Sequence, residues 1–339
     1  MTKPKRSRFE PGGAPGLRLT ERDVAIFKAV ARYRVLDAEM IGRVLELSGF
    51  DASGIDARTG HIDHAKKIRD RLTELFHGGF LSRPRAGFSF AFPGSEPIAY
   101  AIGAEGVRLL GRQDDDSIDA DAIRNTRNAG REFLQHQLLT NEFRIALQES
   151  VANRSDLALA LDVVLHGDSN PNRSIQFSAE VTLGIEHRKV GIVPDLSFAI
   201  SDAERTHAYF VEIDRETEPA VRNKWSRGSR TPTLSGTSIL KKMLGYGALK
   251  SSGTIEKNLG WRNFKVLFVC EPRPGGGDRI RRLQEITKQR ATKHTGLFLF
   301  ASAEDITRTS DILRVEWRDA NGNVSRLDLT SVALMQRTA

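Results

Sequence analysis

The residues with the clearest chemistry in this chain are carboxylates. Asp195 follows Val193-Pro194, and Val211-Glu212-Ile213-Asp214 closes the next apolar run. The pattern predicts that Val193, Pro194 and Asp195 lie inside one strand, with Glu212 and Asp214 at the end of the following one. Ser201-Asp202-Ala203-Glu204 between them reads as a reversal, so the two strands should pair as a hairpin. Side chains alternate along a strand, which puts Glu212 and Asp214 on one face, roughly 7 Å apart. Phe210 shares that parity, while Tyr209, Val211 and Ile213 point the other way. Carboxylates on neighbouring strands repel unless a cation or a proton shields them. Magnesium commonly takes one or two carboxylates together with substrate phosphate and water. That is a physical reason for Asp195 and Glu212 to converge. The competing reading is acids solvated on an open sheet face, or paired with Arg222 or Lys224.

The elements around these acids read as α/β. A helix is expected over about 130–151, with Phe133, Leu134, Leu138, Phe143 and Leu147 on its apolar side. Strands are expected at 158–165, 174–184, 190–200, 208–214, 265–270 and 296–300. Helices are expected at 238–250 and 279–290, and a closing hairpin at Asn321-Gly322. Helix, strands, helix, strand is the order of a mixed sheet flanked by helices.

The first hundred residues read differently. Thr20-Glu21-Arg22-Asp23 is a capping box, followed by Val24, Phe27 and Val30 at helical spacing. A second helix begins at Asp37 and carries Met40, Ile41, Val44 and Leu45. A third, over 64–77, has Ile68, Leu72, Leu75 and Phe76 on one face and Lys66, Lys67, Arg69 and Arg71 on the other, and Gly78-Gly79 stops it. Strand-like runs at 80–83, 88–92 and 99–102 follow, with a turn at 84–87. Three helices and then a small hairpin is the order of a winged helix-turn-helix, whose third helix enters the major groove. Lys66, Lys67, Arg69 and Arg71 are the expected DNA-binding residues of that helix, and Arg83 and Arg85 those of the wing. A small helical module for protein contact is the plainer alternative.

Charge distribution supports a polyanionic partner. The 339 residues carry 51 Lys and Arg against 43 Asp and Glu, a net charge of +8. From Ala220 to Lys242 there are six basic residues and no carboxylate, and 279–293 is a second basic stretch. Residues 1–16 form a basic tail with a Pro/Gly-rich end, and the Asp-rich run within 112–129 suits a linker. The expected domains are thus 17–111 and 130–332. Cys270 is the single cysteine, which excludes an internal disulfide and any zinc site needing two thiolates. No apolar run approaches the roughly 20 residues that cross a bilayer, and no signal-like segment is seen, so a cytoplasmic protein without a membrane partner is expected. The eight histidines include no His-hydrophobe-His run of the two-histidine relaxases, and Gly275-Gly276-Gly277 lacks the spacing of a phosphate loop.

The order of these features resembles the PD-(D/E)xK nuclease superfamily: Pro194-Asp195, then Glu212-Ile213-Asp214, then Lys241, Lys242 and Tyr246 on the next helix. Joined to the N-terminal module, it resembles the replication-relaxation family of plasmids and other mobile elements. Leu72-Thr73-Glu74-Leu75-Phe76, Gly103-Ala104-Glu105-Gly106-Val107, Val193 to Leu196 and Phe210 to Arg215 carry that likeness over about residues 17–330. The resemblance implies a restriction-endonuclease-like domain in which Asp195, Glu212 and the carbonyl of Ile213 hold Mg2+ or Mn2+. It also implies a lysine that orients the attacking water. Asp214 stands where that lysine is usual. Some members of the superfamily use an acidic residue there, which makes Asp214 a candidate catalytic residue. In others the lysine comes from the following helix, where Lys241 or Lys242 would serve; Glu142 and Glu180 are further candidate acids. The function so implied is a metal-dependent DNA nickase or endonuclease targeted by a winged helix. Its partners would be double-stranded DNA, with a second copy of the chain or other mobile-element proteins as further candidates. The alternatives are a non-catalytic replication accessory protein or repressor with a degenerate nuclease domain, and a protein-interaction module.

Overall fold

The computed structural model describes residues 10–52, 64–84, 97–112, 126, 129–161, 175–226, 229–273, 275 and 277–328, with the side chains of 64–67, 226, 229 and 292 outside that description. Two compact units divide at Ile145/Ala146, inside a helix rather than at the acidic run expected to be a linker, most of which lies outside the described residues.

In the first unit, Thr20 caps α1 (Glu21–Tyr33) with both hydrogen bonds of the capping box in place. Asp37 caps α2 (Ala38–Leu47) by accepting from the Met40 N–H. With α3 (His64–His77), these helices enclose a core of Phe27, Val30, Ile41, Leu45, Ile68, Leu72 and Phe76. β1 (Leu81–Ser82) and β2 (Ala101–Ile102) pair antiparallel, and an isolated bridge joins Leu36 to Tyr100. The expected run at 88–92 lies outside the described residues. α4 (Ala104–Gly111), an element not expected from the sequence, starts against the β1 entry. Gly103 N–H donates to the Phe80 carbonyl at 2.8 Å, and Glu105 N–H to the Gly79 carbonyl at 3.1 Å. A Cβ on Gly103 would stand 2.2 Å from the Gly79 carbonyl oxygen, and one on Gly106 2.5 Å from that of Phe80. These two glycines are therefore demanded by backbone-to-backbone packing. The first part of α5 (Arg131–Ala152) belongs here, with Asn141 donating to the Tyr33 and Val35 carbonyls at 2.9 and 2.6 Å.

The second unit is built on a mixed seven-stranded sheet of order β13-β12-β11-β10-β7-β6-β3. Its strands are β3 (Ala158–Leu161), β6 (Leu196–Ser201), β7 (Thr206–Asp214), β10 (Phe264–Cys270), β11 (Phe298–Ser302), β12 (Trp317–Arg318) and β13 (Val324–Ser325). β7, β10 and β11 are parallel, and the other neighbours are antiparallel. Parallel neighbours need crossovers, which are supplied by α6 (Ile239–Ser252) with α7 (Thr254–Leu259), and by α8 (Arg279–Arg290). Right-handed crossovers advancing in one direction put α6 and α8 on one face, where they pack together. α9 (Ala303–Arg308) follows β11.

One strand expectation is corrected. The segment read as one strand over 190–200 is two: β5 (Glu186–Ile192) pairs with β4 (Phe177–Leu183) in a separate hairpin, and β6 joins the main sheet. Pro194 has no N–H to continue a ladder, so Val193, Pro194 and Asp195 form the passage between two sheets. A further hairpin, β8 (Asn223–Ser226) with β9 (Ser229–Pro232), lies between β7 and α6 and was not foreseen.

Candidate functional site

The antiparallel pairing of β6 and β7 sets Leu196 opposite Val211, and the Asp195 N–H donates to the Val211 carbonyl at 3.0 Å. The ladder ends at the Leu196–Val211 pair, and the Asp195 charge acts on both Glu212 and Lys242. The Asp195 Oδ2 accepts from the Ile213 N–H at 2.7 Å. Because the N–H and C=O of a strand residue point to the same edge, the Ile213 carbonyl is directed to the edge where Asp195 stands.

Glu212 is only 2% exposed. Its Oε1 accepts from the Tyr246 hydroxyl at 2.6 Å and its Oε2 from the Lys242 ammonium at 2.9 Å. Lys242 and Tyr246 are four residues apart and so share one face of α6. Burial pushes the Glu212 carboxyl up to about 7; the Lys242 charge opposes that shift and the Asp195 charge adds to it. Burial also works against the Lys242 charge, but Glu212, Asp195 and Glu218 outweigh it and raise its pKa. Tyr246 is raised well above its ordinary value by burial and by Glu212, so it remains a proton donor.

The start of α6 is pinned where it must be. Ser238 caps it by accepting from the Lys241 N–H, and the Ile239 and Leu240 N–H groups donate to the Pro219 and Ala220 carbonyls at 3.1 and 3.0 Å. Beneath Glu212 the Phe210 ring lies within 5.9 Å of the rings of Phe177, Tyr246, Trp261 and Phe264. That aromatic cluster fixes the Tyr246 ring and hence the position of its hydroxyl.

Of the two lysines left open by the sequence, Lys242 meets the acids. Lys241 sits about 100° further round the helix and donates to the Gly236 carbonyl at 3.0 Å. Asp214 keeps the parity of Glu212 but serves another partner. Arg279 grips it from α8, with Nε to Oδ2 at 2.7 Å and Nη2 to Oδ1 at 3.0 Å, both side chains 2% exposed. Asp214 is thereby given to a buried ion pair and not to the acid pair. Glu216 follows in a left-handed conformation, φ 53°, and its carboxylate accepts from Arg282 and from the Arg273 N–H, each at 3.1 Å. Glu218, which sequence reasoning missed, brings its carboxylate to 3.6 Å from the Lys242 ammonium. The signal for it was present, since acids at 212, 214, 216 and 218 continue the alternation past the strand end.

The other candidate acids are elsewhere. Glu142 pairs with Arg43 at 2.6 Å. Glu180 is exposed on β4 and lines a cavity of about 320 Å³ that is also bounded by Ser251 and His294. Among the described residues no three His, Cys, Asp or Glu side chains gather to hold a metal ion, so any ion at Asp195 and Glu212 needs the Ile213 carbonyl or solvent as well.

Two expected DNA contacts turn inward. Arg71 clamps Asp23 with two hydrogen bonds of 2.9 and 2.6 Å, reaches Glu74 at 2.7 Å and donates to the Arg18 carbonyl. Burial opposes the Asp23 charge, but Arg71 and Thr20 outweigh it and hold the carboxyl below its usual value. Arg83 is buried, its guanidinium 4.2 Å from the Phe76 ring centre and hydrogen-bonded to Thr73 and Tyr100. Both are corrected to internal ties: a basic residue near an apolar face can spend its fork on a buried acid or an aromatic ring. Arg69 is exposed on α3. The Lys66 and Lys67 side chains and all of Arg85 lie outside the described residues.

A mixed α+β protein with an acid pair and a lysine at one sheet end is the class these observations define. The family model of replication-relaxation proteins matches residues 30–262, and the chain belongs to that family. Membership points to a role in the replication or relaxation of a plasmid or other mobile element. No curated protein and no solved structure matches the chain. Among the described residues no helix is long and apolar enough to cross a membrane.

Proposed function

We propose that this protein is a divalent-metal-dependent DNA nickase or endonuclease of the PD-(D/E)xK kind. One observation carries the reading: the Asp195 carboxylate is held on the Ile213 N–H of β7, next to Glu212, and Lys242 of the next helix bonds Glu212 within reach of both acids' charge. The donor set fits a hard cation. Asp195, Glu212 and the Ile213 carbonyl are all oxygen ligands, and a buried carboxylate beside a second acid calls for positive charge. A bound Mg2+ or Mn2+ would supply charge stabilisation at the scissile phosphate and a lowered pKa for the attacking water. The chain's own groups do the rest. Lys242 keeps its proton and presents a cation to the phosphate, while Tyr246 holds the Glu212 carboxylate in place. The Asp214–Arg279 pair stiffens the end of β7.

The element order of the first unit supports a winged helix as the targeting module. Three helices precede two short strands, and Leu36 bridges to Tyr100 as a third strand piece. Arg69, Lys66 and Lys67 on α3 are then the residues proposed to meet duplex DNA. A second reading, a replication accessory protein or repressor that only binds DNA, is favoured by one feature. Both Glu212 oxygens and one Asp195 oxygen are already held by the chain itself. Supercoiled plasmid with Mg2+ or Mn2+ decides between them. Nicking by the wild type that is lost in Asp195→Ala and Glu212→Gln supports the nuclease; binding with intact plasmid under either metal supports the binder.

A further inference from the structure

The β8–β9 hairpin is inserted between the two elements that form the candidate site, after Asp214 and before Lys242. It belongs to the stretch from Ala220 to Lys242 that has six basic residues and no acid. Trp225 stands on it with 73% of its surface exposed, whereas Trp261 and Trp317 are 9% and 0% exposed. An indole is ordinarily covered, so a bare one on a cationic element marks a contact surface. Its cross-strand partner is Arg230, whose guanidinium lies 5.6 Å from the Trp225 ring centre on the same hairpin face.

The hairpin is braced, not merely extended. Glu186, at the start of β5, accepts from the Lys224 ammonium, from the Thr233 hydroxyl and, at 2.8 Å, from the Leu234 N–H. The Thr233 N–H closes the hairpin base on the Arg222 carbonyl at 2.9 Å. Ile185, next to that brace, is 94% exposed. The bare indole and the Arg230 cation beside it thus stand on anchored backbone.

We infer that this hairpin binds unpaired nucleic acid, Trp225 stacking on an exposed base while Arg230 on the same face neutralises a flanking phosphate. The face of a base in an intact duplex is already covered by its neighbours, so a flat ring with a cation beside it suits a single strand. The inference rests on the second unit acting on DNA, and it assigns that unit a melted or single-stranded segment as substrate. The first unit is left to the duplex.

The test uses the full-length chain in EDTA, so that a lack of hydrolysis cannot be mistaken for a lack of binding. Tryptophan fluorescence and its access to iodide are followed during titration with an oligothymidylate of about 15 nucleotides. A blunt duplex of the same length and anionic phosphatidylglycerol vesicles are titrated in parallel. The oligothymidylate is expected to quench and shield the iodide-accessible emission, which comes from Trp225 because the other two indoles are buried. Trp225→Ala should weaken oligothymidylate binding roughly 5- to 150-fold, Trp225→Phe should restore most of it, and duplex affinity should be unchanged in both. The inference is overturned if the oligothymidylate leaves iodide access as it was, or if Trp225→Ala binds as tightly as the wild type. It is equally overturned if duplex affinity falls in step, or if only the vesicles shield the indole. An unchanged circular-dichroism spectrum is expected for both variants, since the exposed ring has little packing to lose.

Discussion

Replacing Arg279 by Met separates a structural acid from a reacting one. The substitution keeps most of the side-chain volume and removes the charge that faces Asp214. Both partners are 2% exposed, and the fork makes two hydrogen bonds to Asp214, at 2.7 and 3.0 Å, and a third to the Glu218 carbonyl at 2.9 Å. Breaking a buried pair by removing one member costs about 3–5 kcal/mol, because the remaining charge is left without compensation. The second unit, whose described residues run from Ala146 to Asp328, is of a size for which each kcal/mol lowers the melting temperature by roughly 2–4 °C. Arg279→Met should therefore melt roughly 6–20 °C lower. The double variant Asp214→Leu with Arg279→Met removes both charges and should recover most of that loss, since an apolar pair of similar shape can replace a buried ion pair. Thermal unfolding followed by circular dichroism reads both. If Arg279→Met melts with the wild type, or the double variant melts no higher than the single, the fork does not hold the end of β7 and Asp214 returns as a candidate reacting group.

Two further outcomes follow from the same geometry. Glu212 must lose its proton to hold a cation, and a bound cation favours that loss, so metal-dependent nicking by the wild type should rise with pH along a limb below the metal-free value of about 7. Lys242→Met removes the charge that lowers the Glu212 pKa, and the rising limb should move to higher pH, while an unmoved limb would detach Lys242 from Glu212. The raised carboxyl also has a stability consequence: the folded state holds its proton where the unfolded chain has lost it, so Glu212 costs stability as pH rises from about 4.5 to about 7, and Glu212→Gln should remove that slope in a pH series of melts. Gly103→Ala places a methyl 2.2 Å from a backbone oxygen and should destabilise the first unit by about 1–3 kcal/mol in urea unfolding; a midpoint equal to the wild type's would show that α4 can shift to admit it.

Much of the frame was legible because it is local. Helix caps at Thr20 and Asp37, the apolar face of α3, the β6–β7 reversal and the period of two along β7 are all set by residues a few positions apart. The misread passage at 193–195 looked continuous because apolar residues flank it on both sides. The proline that splits it was visible, but the change of sheet was not. α4 and the β8–β9 hairpin are each short: the apolar spacing of Ala104, Val107 and Leu110 spans only two turns, and the four-residue strands of the hairpin are mostly polar.

The parity of Glu212 with Asp214, the positive charge beside them and the order of the motifs belong to the sequence alone. Which partner each side chain takes does not. Asp195 comes beside Glu212 only because its carboxylate accepts from the Ile213 N–H of β7, Lys242 rather than Lys241 meets the acids only through the rotation of α6, and Asp214 meets Arg279 across 65 positions of chain. Arg71 and Arg83 looked like surface cations until Asp23 and the Phe76 ring were folded against them. Pairing and burial of this kind depend on residues far apart in the chain, and only the packed tertiary structure brings them within reach.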